Sequence, residues 1–142
     1  MKIYLASPFF NEEENKYVEM AEKILRGRNF EVFSPRESEP RGLEVGSNAW
    51  SRSIYKMDVS EIGSCDCMVM LYYGGVSDSG TAWECGYATA KKIPVVIVHI
   101  HAGKTDSNVM IHESGTNLSG IEALRGFDFE KMEHFDYTGK ML

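Results

Sequence analysis

The run Cys67-Met68-Val69-Met70-Leu71-Tyr72, stopped by Gly74-Gly75, constrains the fold most. A strand with one wet face alternates polar and apolar residues. A continuous apolar run needs cover on both faces, as in a parallel sheet flanked by helices. Residues 93–100 repeat the pattern, with Pro94 near the start, where a missing N–H does least harm. A chain of 142 residues has room for one good core, so residues 1–142 are expected to form one domain.

The other segments alternate around these two. Residues 2–5 read as a first strand, closed by Ala6-Ser7-Pro8. Asn11 then caps a helix whose first turn holds Glu12, Glu13 and Glu14, where the dipole favours acids. Tyr17, Val18, Ala21, Ile24 and Leu25 give that helix one buried face, and Gly27 and Asn29 end it. Residues 31–33 form a short strand stopped by Ser34-Pro35, and residues 36–47 a long polar loop of the kind that often carries function. A second helix is expected over 48–62 with Trp50, Ile54, Met57 and Ile62 inward, and a third over 81–91. Residues 102–120 read as irregular, and Phe127-Asp128-Phe129 as a short edge strand or the start of a last turn. The alternation predicts an α/β, single-domain, flavodoxin-like (Rossmann-like) parallel sheet of about five strands, with helices on both faces. Ligands then bind beyond the carboxyl ends of the strands. That edge holds residues 7–10, 35–47, 74–78 and 102–117. No G-x-G-x-x-G or P-loop motif follows a strand, so a dinucleotide or P-loop site lacks support.

Composition narrows the partners. The net charge is -6 and no basic face is visible, which argues against nucleic acid and against polyphosphate substrates. The pairs Arg26/Arg28 and Lys91/Lys92 sit near helix ends, where they answer the dipole. No run of about 18 apolar residues marks a membrane span, and the apolar start is too short for a signal peptide. Cys65, Cys67 and Cys85 are odd in number and read as buried free thiols of a cytoplasmic protein. No metal site is expected: His99 and His101 alternate at a strand end, and His112 and His134 lie apart.

The informative side chains are acids. Asp78 and Glu84 flank a Gly-Thr-Ala turn into the third helix, just beyond a strand. Glu84 is expected in the first turn, where backbone N–H groups stabilise a carboxylate. The competing view is that it merely improves the helix dipole. Asp58 lies beside an apolar stripe, either as its solvated flank or facing the ligand edge. Tyr4 belongs to the central strand, as core packing or as partner to a carboxylate. Paired carboxylates suit glycosidic chemistry: one traps the oxocarbenium-like centre, and the other handles the leaving group's proton.

These residues resemble a known family. Asp78-x-Gly80-Thr81-Ala82-Trp83-Glu84-x-Gly86 resembles the signature of the nucleoside 2-deoxyribosyltransferases. So do Ile3-Tyr4-Leu5-Ala6-Ser7-Pro8-Phe9-Phe10, Phe33-Ser34-Pro35-Arg36-Glu37, the Asp58 helix, Asn108-Val109-Met110 and Phe135-Asp136-Tyr137. The resemblance implies that Glu84 is the nucleophile at C1′, and that Asp78 lies near the sugar hydroxyls. It implies that Asp58 assists the base and that Tyr4 orients the nucleophile. Phe9 and Gly80 fall among the substrate-binding positions. Asn108 and Met110 match residues lent to a neighbouring subunit's site, with Leu142 near it. Glu39 stands where the family often has a base-binding glutamine, and residues 104–108 run one residue longer than in relatives.

The implied substrates are 2′-deoxynucleosides and free nucleobases, and no cofactor or metal is implied. The implied assembly is a homo-oligomer built from dimers, commonly a hexamer, with shared sites. The implied reaction is base exchange with retention, in nucleoside salvage. Two alternatives stand beside it. One is a 2′-deoxynucleoside 5′-monophosphate N-glycosidase, which would need a phosphate nest where Ser7-Pro8-Phe9-Phe10 offers none. The other is a non-catalytic nucleotide sensor.

Overall fold

The computed structural model describes residues 1–75 and 77–142; Val76, within the 74–78 stretch expected at the ligand edge, lies outside the described residues. Five strands form one sheet: β1 (Lys2–Ala6), β2 (Glu31–Phe33), β3 (Cys67–Tyr72), β4 (Val95–His99) and β5 (Thr116–Ser119). Their order is β2-β1-β3-β4-β5 and every pairing is parallel. This is the expected flavodoxin-like order, with its switch point between β1 and β3. Helices α1 (Glu12–Gly27), α2 (Asn48–Ser64) and α3 (Ser79–Ala90) link the strands, and a single turn, α4 (Val109–His112), precedes β5. Among the described residues, no helix is long and apolar enough to cross a membrane.

Strand alternation divides the core. Ile3, Leu5, Val69, Leu71, Val96 and Val98 face one way and pack with Val18, Ala21, Ile24 and Leu25 of α1. Tyr4, Ala6, Met68, Met70, Val95 and Ile97 face the other way, toward Ile62 of α2 and Cys85 and Ala88 of α3. All six residues of β3 are buried, as its continuous apolar run requires. The same alternation turns Tyr4 toward α3. Cys65, Cys67 and Cys85 are buried free thiols. The Asn11 side chain caps α1 by accepting from Glu14 N at 2.9 Å, and Asn29 leaves the helix in the left-handed region at φ 66°.

Two expectations are corrected. The fifth strand is Thr116–Ser119, inside the stretch read as irregular; Phe127-Asp128-Phe129 takes the second of its two expected forms, the start of a turn, with Asp128 Oδ1 accepting from Glu130 N and Lys131 N, both at 3.0 Å. β5 looks polar because its side chains are bonded rather than merely packed. Asn117 Nδ2 donates to His112 O at 3.1 Å and its Oδ1 meets His99 Nε2 at 2.8 Å, while Thr116 Oγ1 donates to Glu133 O at 2.8 Å. Phe127 and Phe129 plug the α1-side core from a loop. Aromatic-polar-aromatic spacing reads alike in a strand and in such a loop. In α2 only Ile62 is buried; Trp50, Ile54 and Met57 are half-buried and line a cavity rather than the core.

Candidate active site

The cavity, about 370 Å³, opens at the carboxyl ends of β1 and β2, beside the switch point. Each wall comes from a different element. Ser7, Pro8, Phe9 and Phe10 follow β1, and Pro35, Arg36, Ser38 and Glu39 follow β2. Trp50, Ile54, Met57 and Asp58 come from α2, and Asp78, Gly80, Thr81 and Glu84 from the start of α3. The fold thus collects Glu84, Asp58, Asp78, Glu39, Phe9 and Gly80 around one space. Tyr4 lies beneath it, fully buried, and its hydroxyl donates to Glu84 Oε2. Its ring stacks on Phe33 at 5.5 Å.

Glu84 is the sixth residue of α3, not part of its first turn. The helix N-terminus therefore does not set its charge state, and the dipole view of this residue falls away. Burial pushes Glu84 up to about 7; Asp58 and Asp78 push the same way, and the Tyr4 hydrogen bond pulls down. Burial, with Glu61 adding, pushes Asp58 up to about 6. One Asp58 oxygen, Oδ1, is buried with no partner among the described residues. Burial and then the Glu84 and Asp58 charges hold the Tyr4 hydroxyl far above its ordinary value, so it remains a donor.

Asp78 is the N-cap of α3. Its Oδ2 accepts from Thr81 N and Thr81 Oγ1, both at 2.8 Å. A Cβ at Gly80 would stand 3.3 Å from that same oxygen, so glycine gives the carboxylate room.

Asn108 and Met110 do not line this cavity. Asn108 caps α4, accepting from Met110 N at 2.9 Å, and Met110 is 74% exposed. The C-terminal tail lies beside them: Val109 N donates to Leu142 O at 2.9 Å and Leu142 N to Ser107 O at 2.8 Å. Residues 102–117, expected at the ligand edge, contribute nothing to the cavity.

Sequence reasoning placed Arg36 and Ser38 on the ligand edge only as part of the 35–47 loop, and gave no individual role to them or to Thr81, all of which line the cavity. Arg36 is the only cationic side chain among the described lining residues, and it is already engaged. Its Nε and Nη2 donate to Glu22 Oε1 and Oε2 at 2.8 and 2.5 Å. The signal was present in Glu22, an acid at a helix position flanked by the buried Ala21, Ile24 and Leu25.

Known proteins resemble this arrangement. A nucleoside deoxyribosyltransferase of Limosilactobacillus fermentum is 28% identical over 153 residues, covering 99% of this chain and 88% of that protein. The solved 2-deoxyribosyltransferase of the psychrotolerant bacterium Bacillus psychrosaccharolyticus superposes with a TM-score of 0.88 at 36% identity, covering 96% of this chain and 99% of that one. A CMP N-glycosidase of Clostridium botulinum shares the fold, with a TM-score of 0.59 at 19% identity over 84% of this chain and 87% of that one. The family model for nucleoside 2-deoxyribosyltransferases matches residues 3–132. With its parallel sheet, its switch-point cavity and these matches, the chain belongs to the nucleoside 2-deoxyribosyltransferase family.

Proposed function

We propose that this protein transfers the 2-deoxyribosyl group between nucleobases through a covalent intermediate on Glu84. The observation that carries this reading is the Tyr4–Glu84 hydrogen bond at the floor of an apolar-walled cavity that also holds Asp78 and Asp58. Tyr4 occupies Oε2 of Glu84. The other oxygen attacks C1′, the C1′–N bond breaks, and its electron pair leaves with the base. Asp58 gives that base nitrogen a proton. In the second half, a nitrogen of the incoming base attacks C1′, the C1′–O bond to Glu84 breaks, and Asp58 takes the proton back. Two inversions give retention, with ping-pong kinetics. Asp78, on the same helix as Glu84, holds the sugar hydroxyls. Phe9 and Gly80 bound the bound nucleoside, and Glu39 faces the base.

A 5′-monophosphate substrate, as the name of the Clostridium botulinum relative suggests for that protein, is disfavoured. Glu39, Asp58, Asp78 and Glu84 line the cavity, and Arg36 is neutralised by Glu22. A phosphate dianion would face carboxylates without a free cation among the described lining residues. A pure sensor would have no use for a buried carboxylate pushed toward neutrality beside a hydrogen-bond donor.

The active form is a homo-oligomer in which Asn108 and Met110 complete a neighbour's site. Their exposure away from their own cavity supports this. The role is salvage of nucleosides, and three unpaired cysteines fit a reducing cytoplasm.

A chromatographic exchange assay tests the reading. The protein is mixed with thymidine or deoxyinosine, with and without adenine, and the assay is repeated with Glu84→Ala. Deoxyadenosine forming only with adenine, and lost in the variant, is the expected result. Free base released equally with or without acceptor means hydrolysis; no turnover with ligand still bound means sensing.

A further inference from the structure

The cavity wall that follows β2 has little structure of its own, only a single 3-10 turn over Pro35–Glu37. It is held by two arginine–glutamate forks that run in opposite directions. Arg36 of the wall reaches back to Glu22 of α1, with Nε to Oε1 at 2.8 Å and Nη2 to Oε2 at 2.5 Å. Ser34 Oγ donates to the same Oε1 at 2.7 Å. Arg26, one turn further along α1, reaches out to Glu37 of the wall, with Nη1 to Oε2 at 3.1 Å and Nη2 to Oε1 at 2.6 Å. Arg26 Nη2 also donates to Val32 O at 3.1 Å, tying the fork to β2 itself.

Glu22 is only 5% exposed. A buried carboxylate is tolerated where charged, bidentate donors meet it. A helix needing only an amphipathic face would place an apolar residue there. The next two lining residues after the forks are Ser38 and Glu39. The groups that serve the sugar in the reading above, Glu84 with its partner Tyr4 and Asp78, come instead from β1 and from α3 and its cap.

We propose that the crossed forks Glu22–Arg36 and Arg26–Glu37 are positioning residues that set the nucleobase end of the cavity, acting through the 35–39 wall on base affinity and not on chemistry at C1′. This rests on the function proposed above. Lysine cannot take the place of Arg36, because a point charge does not make the planar fork. Removing Arg36 alone leaves the Glu22 charge buried and unpaired, which threatens folding. The informative variant is therefore the double replacement Glu22→Met/Arg36→Met, which removes both charges at similar volume.

The test uses the full chain and three readouts: calorimetric affinity for free adenine, the ratio of transfer to hydrolysis with deoxyinosine and adenine, and hypoxanthine release at saturating deoxyinosine without acceptor. The double variant is expected to bind adenine about tenfold more weakly and to lose a similar factor in the transfer ratio, while release without acceptor falls by a clearly smaller factor. Arg26→Met/Glu37→Gln should follow with a smaller loss, and Glu19→Gln, an outlying contact 3.9 Å from Arg36, should match wild type. A folded double variant with unchanged adenine affinity and transfer ratio overturns the proposal. So does a variant in which release without acceptor falls as much as transfer, because that is general damage. If wild type neither binds adenine nor exchanges bases, the proposed function fails and the base-positioning role with it. If wild type exchanges and the variant does so equally well, only the positioning role fails.

Discussion

A buried carboxylate that must ionise to act makes its chemistry and its stability depend on pH in opposite ways. Glu84 stands near 7, pushed up mainly by burial, and Asp58 near 6. As the proposed nucleophile Glu84 must be ionised, so activity is expected to rise with pH as it loses its proton. As the proposed acid Asp58 must keep its proton, so activity is expected to fall again as it titrates. The two charges feel each other, so the apparent values belong to the pair. We expect a bell-shaped kcat/KM profile with both limbs between about pH 5 and 8. Tyr4→Phe keeps the stacking on Phe33 but removes the donor to Glu84. Its acid limb should move to higher pH, with kcat/KM at pH 6 down about 10- to 100-fold. Stability runs the other way. A carboxyl whose folded value is raised is neutral and costless below its unfolded value near 4.5, and destabilises the fold as pH rises through about 7. Glu84→Gln should therefore be more stable than wild type by about 1–3 kcal/mol at pH 8 and no different at pH 4. Thermal melts of both proteins at the two pH values check this.

Among the elements, α3 and β5 each rest on one residue whose role can be isolated. Asp78 both caps α3 and lines the cavity. Asp78→Ser keeps a competent cap while removing the carboxylate, and Asp78→Ala removes both. We expect both to lose most transfer activity, and only the alanine variant to lose about 1 kcal/mol of stability. Wild-type activity in Asp78→Ser would reduce this residue to a cap. β5 enters the sheet past Gly115, where a Cβ would stand 2.0 Å from Val95 O. Its constraint is space, not a left-handed φ. The obstacle is strand backbone, which cannot give way as a flexible side chain can. Gly115→Ala should therefore cost about 3 kcal/mol, read by denaturant unfolding, through separation of β4 and β5.

For the whole molecule, the prediction concerns assembly. Met110 is 74%, Phe10 77%, Leu142 56% and Val109 44% exposed, a heavy apolar load for the surface of a small monomer. The tail that ends at Leu142 is paired through its backbone with Ser107 and Val109, so Val109, Met110 and Leu142 share one corner, while Phe10 stands at the cavity. Light scattering in line with size exclusion is expected to give a mass several times the 16.0 kDa of one chain. A mass of one chain together with full transfer activity would refute the shared site.

What the sequence determined by itself follows from periodicity and covalent order. The continuous run at Cys67–Tyr72 required a strand covered on both faces, and it is one. Strand–helix alternation required parallel pairing, because antiparallel neighbours need no long crossover. The motif around Asp78 and Glu84 was legible because a cap, a small residue and an acid at fixed offsets survive any tertiary context. Other features depended on what lies across the sheet. β5 could not be read, since its polar side chains are satisfied by residues 112 and 133 brought over it only by folding. Trp50, Ile54 and Met57 showed helical apolar spacing, but spacing does not distinguish a core from a cavity wall. Only the packed sheet decides that Tyr4 points to α3 and that Arg36 meets Glu22. The Tyr4 and Arg36 contacts join residues far apart in the chain, and local patterns carry no information about which distant partner removes a charge from water; the depth of Glu84 follows from the Asp78 cap, which starts α3 at Ser79.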